Sequence, residues 1–412
     1  GVFLSCLCAG ISGVDKFLEN WMGELAPILV NASILDLRFP GTHDTLTYDL
    51  GTKIADGAWD DHPDISALLH DLSRGGVIPA SIDDWIQRQA VTHAQNVTMQ
   101  LNAGVRALDL RLMRMDGDWY SLHFMQSKQK FISYLREVRA WVDAHPTEIV
   151  VIEATRHGME CTPDSGQYPG VTLGQRRQFW NEIKGVLAGA LFDKARASLN
   201  TTSFPELLAT NQRIVFMLAG SANFTDSDSL ALDTCVNTQS TGDGGTWPMQ
   251  AKLAVDASVY AAAARTNRES ASRGKFFANS INCLNPGNNL KPIAEAALLP
   301  FEYERKRAAK RCAAMYAVPN MTDWCPRGVM DLSQMCNYYR QDALEEAWTR
   351  NFDLPHILLA DAVDEFGRLR TGARPLAGAL GDEDYGPYDT AGYAYVDTVV
   401  GINVRNLCAA AP

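Results

Sequence analysis

"GVRALDLRLMRMDGDWYSLHFM", residues 104–125, decides how the rest of the chain is read. Leu108 and Leu110 alternate with Asp109 and Arg111, so an extended backbone sends both charged side chains to one face and both leucines to the other. A surface strand does this routinely. The residues that follow point inward instead: "MDGD" makes a turn, and a second apolar strand, Trp119–Met125, carries His123 in its interior.

Outward from this stretch, short runs rich in Val, Ile and Leu alternate with longer helical patterns, the order expected of an α/β protein with a parallel sheet. The candidate strands are Ile34–Phe39, Val105–Met113, Trp119–Met125, Glu148–Thr155, Arg213–Ala219, Phe276–Ile281 and His356–Ala362. They fall one short of a closed eight-stranded barrel. Helical spacing is clearest at Phe131–Ala144, where Phe131, Leu135, Val138 and Val142 recur on one face. Val14–Leu29, Trp85–Leu101, Gln175–Leu191, Lys252–Arg265, Leu290–Tyr316 and Ser333–Arg350 read the same way, and their stripes are core faces. Residues 225–250 and 371–388 have loop composition, and "YAYVDTVVGINVRN" near the end fits a closing helix or an added strand.

The 412 residues are 46% hydrophobic and 21% charged, enough to bury a large core. With 37 basic against 48 acidic residues the formal charge is −11, which excludes a general electrostatic grip on nucleic acid or anionic lipid; an anionic substrate has to be met by a local site. No apolar run reaches the roughly 18 residues of a membrane span. "GVFLSCLCAG" lacks a basic leader and reads as part of the mature fold, with any signal already removed. Sequons at Asn31, Asn96, Asn200, Asn223 and Asn320, and nine cysteines with Cys312, Cys325 and Cys336 close together, predict a secreted, N-glycosylated disulfide protein. Zinc is the competing use of such a cluster, but there is no CxxC pair and no nearby His.

Barrel enzymes do their chemistry where the carboxyl ends of the strands converge, and there His43 of "FPGTHDTLTYDL" (39–50) would join Asp109, Arg111 and His123. Two imidazoles, a carboxylate and a guanidinium suit phosphodiester cleavage. One imidazole takes a proton from the nucleophile, the other protonates the leaving oxygen, and the guanidinium neutralises charge on the non-bridging oxygens.

"PGTHDTLTY", "GVRALDLRL", "YSLHF" and "HPTEIVVIEATRHG", in this order and spacing, resemble the X-domain of phosphatidylinositol-specific phospholipases C over roughly a third of the chain. The resemblance implies a distorted or incomplete TIM (β/α)8 barrel, here one domain over residues 1–412 with an N-terminal helix at about 14–29 and an extension at about 371–412. It implies that the inositol 2-hydroxyl attacks its own 1-phosphate, releasing diacylglycerol and inositol 1,2-cyclic phosphate. By motif, His43 is the general base, His123 the general acid, Asp44 the hydrogen-bond support of His123, and Asp361 of "LPHILLADAVDEFG" the partner of His43, in preference to Asp364. Asp109 and Glu153 are assigned to substrate binding, although Asp109 equally fits an anchor for Arg111, and Glu153 a buried structural acid.

Calcium-dependent relatives carry a carboxylate where this chain has Arg111 and an Asn where it has Asp44, so the resemblance is to the metal-independent forms, with no metal or cofactor expected. The expected partner is phosphatidylinositol or a glycosylated relative at a membrane surface, met by a monomer, with no nucleic acid. Of the remaining histidines, His62, His70, His93, His145 and His157 read as structural or exposed, and His356 as the opening of a strand. A metal-dependent glycerophosphodiester or sphingomyelin phosphodiesterase, and a non-catalytic barrel that binds an inositol lipid or glycan, are the alternatives. The first of these families usually places His-Arg on its first strand, which this chain does not.

Overall fold

A computed structural model describes residues 14–55, 82–155, 171–219, 228–233, 238–240, 249–281, 291–299, 301–316, 346–363 and 395–410, with single positions between 66 and 70 and between 325 and 344. The N-terminal segment is three short helices, α1 (Val14–Glu19), α2 (Trp21–Glu24) and α3 (Ala26–Leu29), where the apolar spacing predicts one. Pro27 sits in the first turn of α3 and has no N–H with which to continue a preceding helix.

The strand expected at Ile34–Phe39 starts only at the last of those residues. Ser33 and Asp36 form a capping box that winds Ile34–Asp36 into a 3-10 turn, and β1 runs from Phe39 to Thr42. Gly41 lets β1 pack closely: a Cβ there would lie 2.8 Å from a Leu359 methyl and 3.0 Å from Ala107 Cβ. After β1 come β2 (Leu50–Ile54), α4 (Ile82–Ala90) and α5 (Val97–Asn102), two helices where Trp85–Leu101 predicts one. Asn96 caps α5 by accepting the Met99 N–H, and residues 91–95 cross between the helices as irregular backbone.

Next in the chain are β3 (Ala107–Met115), β4 (Asp118–His123) and β5 (Met125–Lys130), then α6 (Phe131–Ala144), β6 (Val150–Thr155), α7 (Leu173–Leu187), α8 (Phe204–Ala209), β7 (Ile214–Leu218) and β8 (Thr238–Ser240). The last are α9 (Met249–Ser272), β9 (Phe276–Ser280), α10 (Lys291–Leu298), α11 (Glu302–Tyr316), β10 (Ile357–Ala360) and α12 (Tyr395–Ala410). Leu290–Tyr316 therefore holds a helical hairpin, with Pro300 between its arms in the sequence, and the C-terminal stretch is a helix. The described positions of 333–350 are helical, apart from the turn at Arg350.

Seven strands run parallel in the order β7-β6-β3-β1-β10-β9-β8, and no ladder among the described residues joins β7 to β8, so the sheet is unclosed. The number matches the seven candidates but the membership does not. Trp119–Met125 leaves the parallel set: Asp116 and Gly117, both at positive φ, make a two-residue turn that folds β4 back antiparallel on β3, and β5 and β2 extend the meander. Its place is taken by β8, inside the stretch read as a loop. The parallel strands are buried on both faces, which is why they read as unbroken apolar runs. Cys312 and Cys325 form a disulfide that ties α11 to the chain beyond it, as the cysteine cluster predicts; Cys336 lies outside the described residues.

Candidate active site

The candidate side chains gather at the carboxyl end of the parallel sheet, where the pairing of β3 with β6 stops at Arg111. His43 follows β1 and is fixed by its N–H to the Ala360 carbonyl; Asp44 follows, its N–H donating to Asp109 Oδ2 at 3.2 Å. Asp109 and Arg111 lie on β3, His123 closes β4, and Asp361 follows β10. Three of the six non-glycine residues at positive φ among those described are here: Asp44, Phe124 after His123 and Ala362 after Asp361. Such backbone is held only where its surroundings fix it, and it clusters at functional sites.

The side chains meet. His43 Nδ1 is 3.0 Å from Asp361 Oδ1 and 3.2 Å from Asp44 Oδ2, while His43 Nε2 lies 2.8 Å from Arg111 Nη2. A guanidinium only donates, so Nε2 is the acceptor and Nδ1 carries the proton toward the carboxylates. His123 Nε2 lies 3.5 Å from the same Asp44 oxygen, and its Nδ1 is 2.6 Å from the Ala90 carbonyl. Asp44 thus stands between the two imidazoles, where the resemblance assigns it to His123 alone. Arg111 donates through Nε to both oxygens of Asp109 at 3.0 Å and through Nη2 to Oδ2 at 2.8 Å, and its Nε is also 3.0 Å from Asp44 Oδ1.

Burial by itself would lower the pKa of His43, and Arg111 pushes the same way. The carboxylates of Asp44 and Asp361 outweigh both, holding it above the usual imidazole value. Asp361 is braced in turn, by Ser333 Oγ at 3.1 Å and by Asn337, which donates to its backbone carbonyl. Glu153 pairs in register with Asp109 on the neighbouring strand β6, so both carboxylates project from the same face.

The sequence patterns give no hint of the segment between α4 and α5. His93 is fully buried, its Nε2 2.8 Å from the backbone oxygen of His43, and its pKa is lowered by burial. Thr92 reaches the carbonyls of His43 and Asp44 through its hydroxyl and accepts the Ala362 N–H on its own carbonyl. With Ala90 on His123, this short segment braces three corners of the site. Of the other described histidines, His145 pairs with Glu19 and His70 is exposed, while His356, one residue before β10, accepts the Phe277 N–H and is held far below the usual value by burial. Asp364, His62 and His157 lie outside the described residues.

His43, Asp44 and Asp109 place three donor atoms within 4.8 Å of one another, a grouping that could in principle hold a metal ion. It fits calcium poorly. That ion takes six to eight oxygens, whereas here both carboxylates already face the Arg111 guanidinium, which a second cation would have to displace.

No protein-family model matches the chain. It is 35% identical to mouse PI-PLC X domain-containing protein 1 over 150 residues, 34% of this chain and 41% of the relative, and 34% identical to the human protein of that name over 143 residues. The chain thus spans well under half the length of the curated relatives it matches. Among solved structures, the phosphatidylinositol-specific phospholipase C of Listeria monocytogenes superposes with TM-score 0.52, at 11% identity, over 84% of this chain and 95% of that one. A point mutant of the Staphylococcus aureus phosphatidylinositol-specific phospholipase C superposes with TM-score 0.55, at 12% identity, over 95% and 99%. The expected family resemblance and the expected barrel-type fold are both borne out.

Proposed function

From a chain that resembles the phosphatidylinositol-specific phospholipase C X-domain family over a third of its length and shares the fold of the bacterial enzymes, we propose a phosphodiesterase that cleaves phosphatidylinositol-type lipids. The observation that carries this reading is the single Asp44 oxygen lying 3.2 Å from one imidazole and 3.5 Å from the other, with Arg111 against the first. That brings an acid, a base and a phosphate-binding cation within the reach of one phosphodiester.

His43 works through Nε2. An incoming phosphate draws the Arg111 guanidinium onto its non-bridging oxygens and leaves the Nε2 lone pair to the inositol 2-hydroxyl. The hydroxyl proton passes to His43, the new oxygen–phosphorus bond forms, and the bond to the glycerol oxygen breaks as that oxygen takes the proton of His123. Diacylglycerol and inositol 1,2-cyclic phosphate leave. Asp361 and Asp44 stabilise the imidazolium that forms at His43, and the Ala90 carbonyl fixes His123 with Nε2 toward the leaving group.

Product analysis with labelled phosphatidylinositol tests the proposal: the cyclic product forms with EDTA present, and His43→Ala lowers the rate roughly 10²- to 10⁴-fold while the protein stays folded. EDTA inhibition reversed by calcium, or binding of the lipid without turnover, rejects it. The compartment reading is an extracellular glycoprotein, supported by exposed side chains at Asn31, Asn96 and Asn200 and by the disulfide. Secreted protein whose mobility an N-glycosidase leaves unchanged would reject the glycan part.

A further inference from the structure

The hairpin of α10 and α11 bears a surface that the chemistry above does not use. Residues 302–316, "EYERKRAAKRCAAMY", hold five Lys or Arg against Glu302 and Glu304, in a chain whose formal charge is −11. The helix is two-sided. Ala308, Cys312 and Ala313 are buried, while Tyr303, Lys306, Arg307, Lys310, Arg311 and Ala314 are exposed on the opposite side, at the three- and four-residue steps of one helical face. At its amino end Phe301 and Tyr303, 59% and 69% exposed, stack on each other with ring centroids 6.0 Å apart. Solvent-exposed stacked aromatics beside a cationic helix face are unusual on a protein with no other use for them.

The position matters as much as the composition. Cys312 on the buried side of α11 and Ile293, Ala294 and Leu298 of α10 share one apolar cluster with Ala90 and Met125. Ala90 holds His123, and Met125 starts the strand after it. The hairpin therefore shares its apolar packing with the wall that carries the candidate general acid, and the basic side of α11 is the side left out of that packing.

We propose that α11 docks on an anionic phospholipid bilayer, with Phe301 and Tyr303 entering the headgroup region and Lys306, Arg307 and Lys310 resting on the lipid phosphates. The partner follows from charge: the acidic remainder of the protein is repelled by such a surface, so one cationic helix sets which side approaches. The apolar ring of Phe301 and the ring and hydroxyl of Tyr303 suit a bilayer interface better than a nucleic-acid backbone. Glu302 and Glu295 pair with Lys306 and Arg311 and moderate the attraction without cancelling it. The proposal rests on the lipid-cleaving reading for its purpose only, because docking is measured without turnover.

The test is sedimentation with vesicles of phosphatidylcholine alone and of phosphatidylcholine mixed with phosphatidylserine. The wild-type chain partitions onto the mixed vesicles and weakly onto the neutral ones, and raised salt releases it. The triple variant Lys306→Gln, Arg307→Gln, Lys310→Gln loses about a hundredfold of that partitioning, since each cation near the surface is worth about fivefold. Phe301→Ser with Tyr303→Ser loses about tenfold on both vesicle types. Both variants keep the wild-type circular dichroism and the wild-type rate on short-chain phosphatidylinositol dissolved as monomer. Indifference of the wild type to phosphatidylserine, equal binding by the variants, or helix-dependent binding of duplex DNA without vesicle binding overturns the proposal. A chain with no turnover on any substrate but with helix-dependent vesicle binding would reject the enzymatic reading and leave docking standing.

Discussion

Two arginines bracket the part of β3 that pairs with β6, and the two are held in opposite ways. Arg106, just before β3, is completely buried and meets one carboxylate, Glu148, through Nε at 3.0 Å and Nη2 at 2.8 Å. Its remaining donors go to the carbonyls of Leu101, Val105 and Glu19, and its guanidinium lies 4.6 Å from the Trp141 ring centroid. Glu148 is filled in turn by the N–H groups of Met22 and Gly23 and by the Thr147 hydroxyl. Arg111, five residues on, faces two carboxylates and an imidazole, all three of them side chains. Fixed backbone partners make an anchor, whereas side-chain partners in surplus make a cation that can transfer to an incoming anion. Residue type alone does not distinguish these uses; the partners do.

The sharpest way to break this comparison is to truncate both arginines. Arg106→Ala leaves Glu148 buried without its counter-charge, and unfolding free energy falls by about 3–5 kcal/mol, read by urea denaturation, with the activity per folded molecule unchanged. Arg111→Ala removes a donor aimed at developing charge, so turnover per folded molecule falls roughly 10²- to 10³-fold. The reverse pattern, with Arg111→Ala unfolding the protein and Arg106→Ala sparing it, would show that the mouth cluster is the structural one.

A smaller effect separates the two carboxylates on His43. Asp361→Asn removes one of the charges that raise its pKa, so the pKa falls. Because the base is active when neutral, the wild-type acid limb of the rate profile lies above the usual imidazole value, and activity is lost as pH drops through it. In Asp361→Asn that limb moves to lower pH, and the plateau rate drops about tenfold as the ring loses its orienting acceptor. An unmoved limb would mean that Asp44 alone sets the proton affinity of His43.

The legible and illegible parts of the molecule divide along similar lines. His43, Asp44, Asp109, Arg111 and His123 are readable because each sits in a short motif on a strand or just after one, and Asp361 because a late apolar strand precedes it. The strand at Phe39–Thr42 is easily misplaced because Ile34–Asp36 is apolar enough to look extended, while the Ser33–Asp36 capping box that winds it is a two-residue signal. β8 is invisible because three polar residues, Thr238–Ser240, carry no period, and β4 misleads because an apolar run does not say which way its neighbour runs. Ser333 and His93 are unreadable for a deeper reason. Both reach the site across long sequence separations from segments with no motif, and only the packing of α4 and of the chain before β10 brings them there.

His93 gives the finest distinction. Its Nε2 holds the carbonyl of His43, while its Nδ1 is buried with no hydrogen-bond partner among the described residues. An unpartnered buried nitrogen is a standing loss of about 1–3 kcal/mol, comparable with what the Nε2 bond returns. His93→Phe removes both the bond and the orphan at similar volume, so stability should stay within about 1 kcal/mol of wild type. Turnover should nevertheless fall several-fold, in kcat more than in KM, because the His43 backbone is then less firmly placed. A large loss of stability with unchanged kcat would return His93 to the class of the Arg106 anchor and remove residues 90–93 from the working end of the molecule.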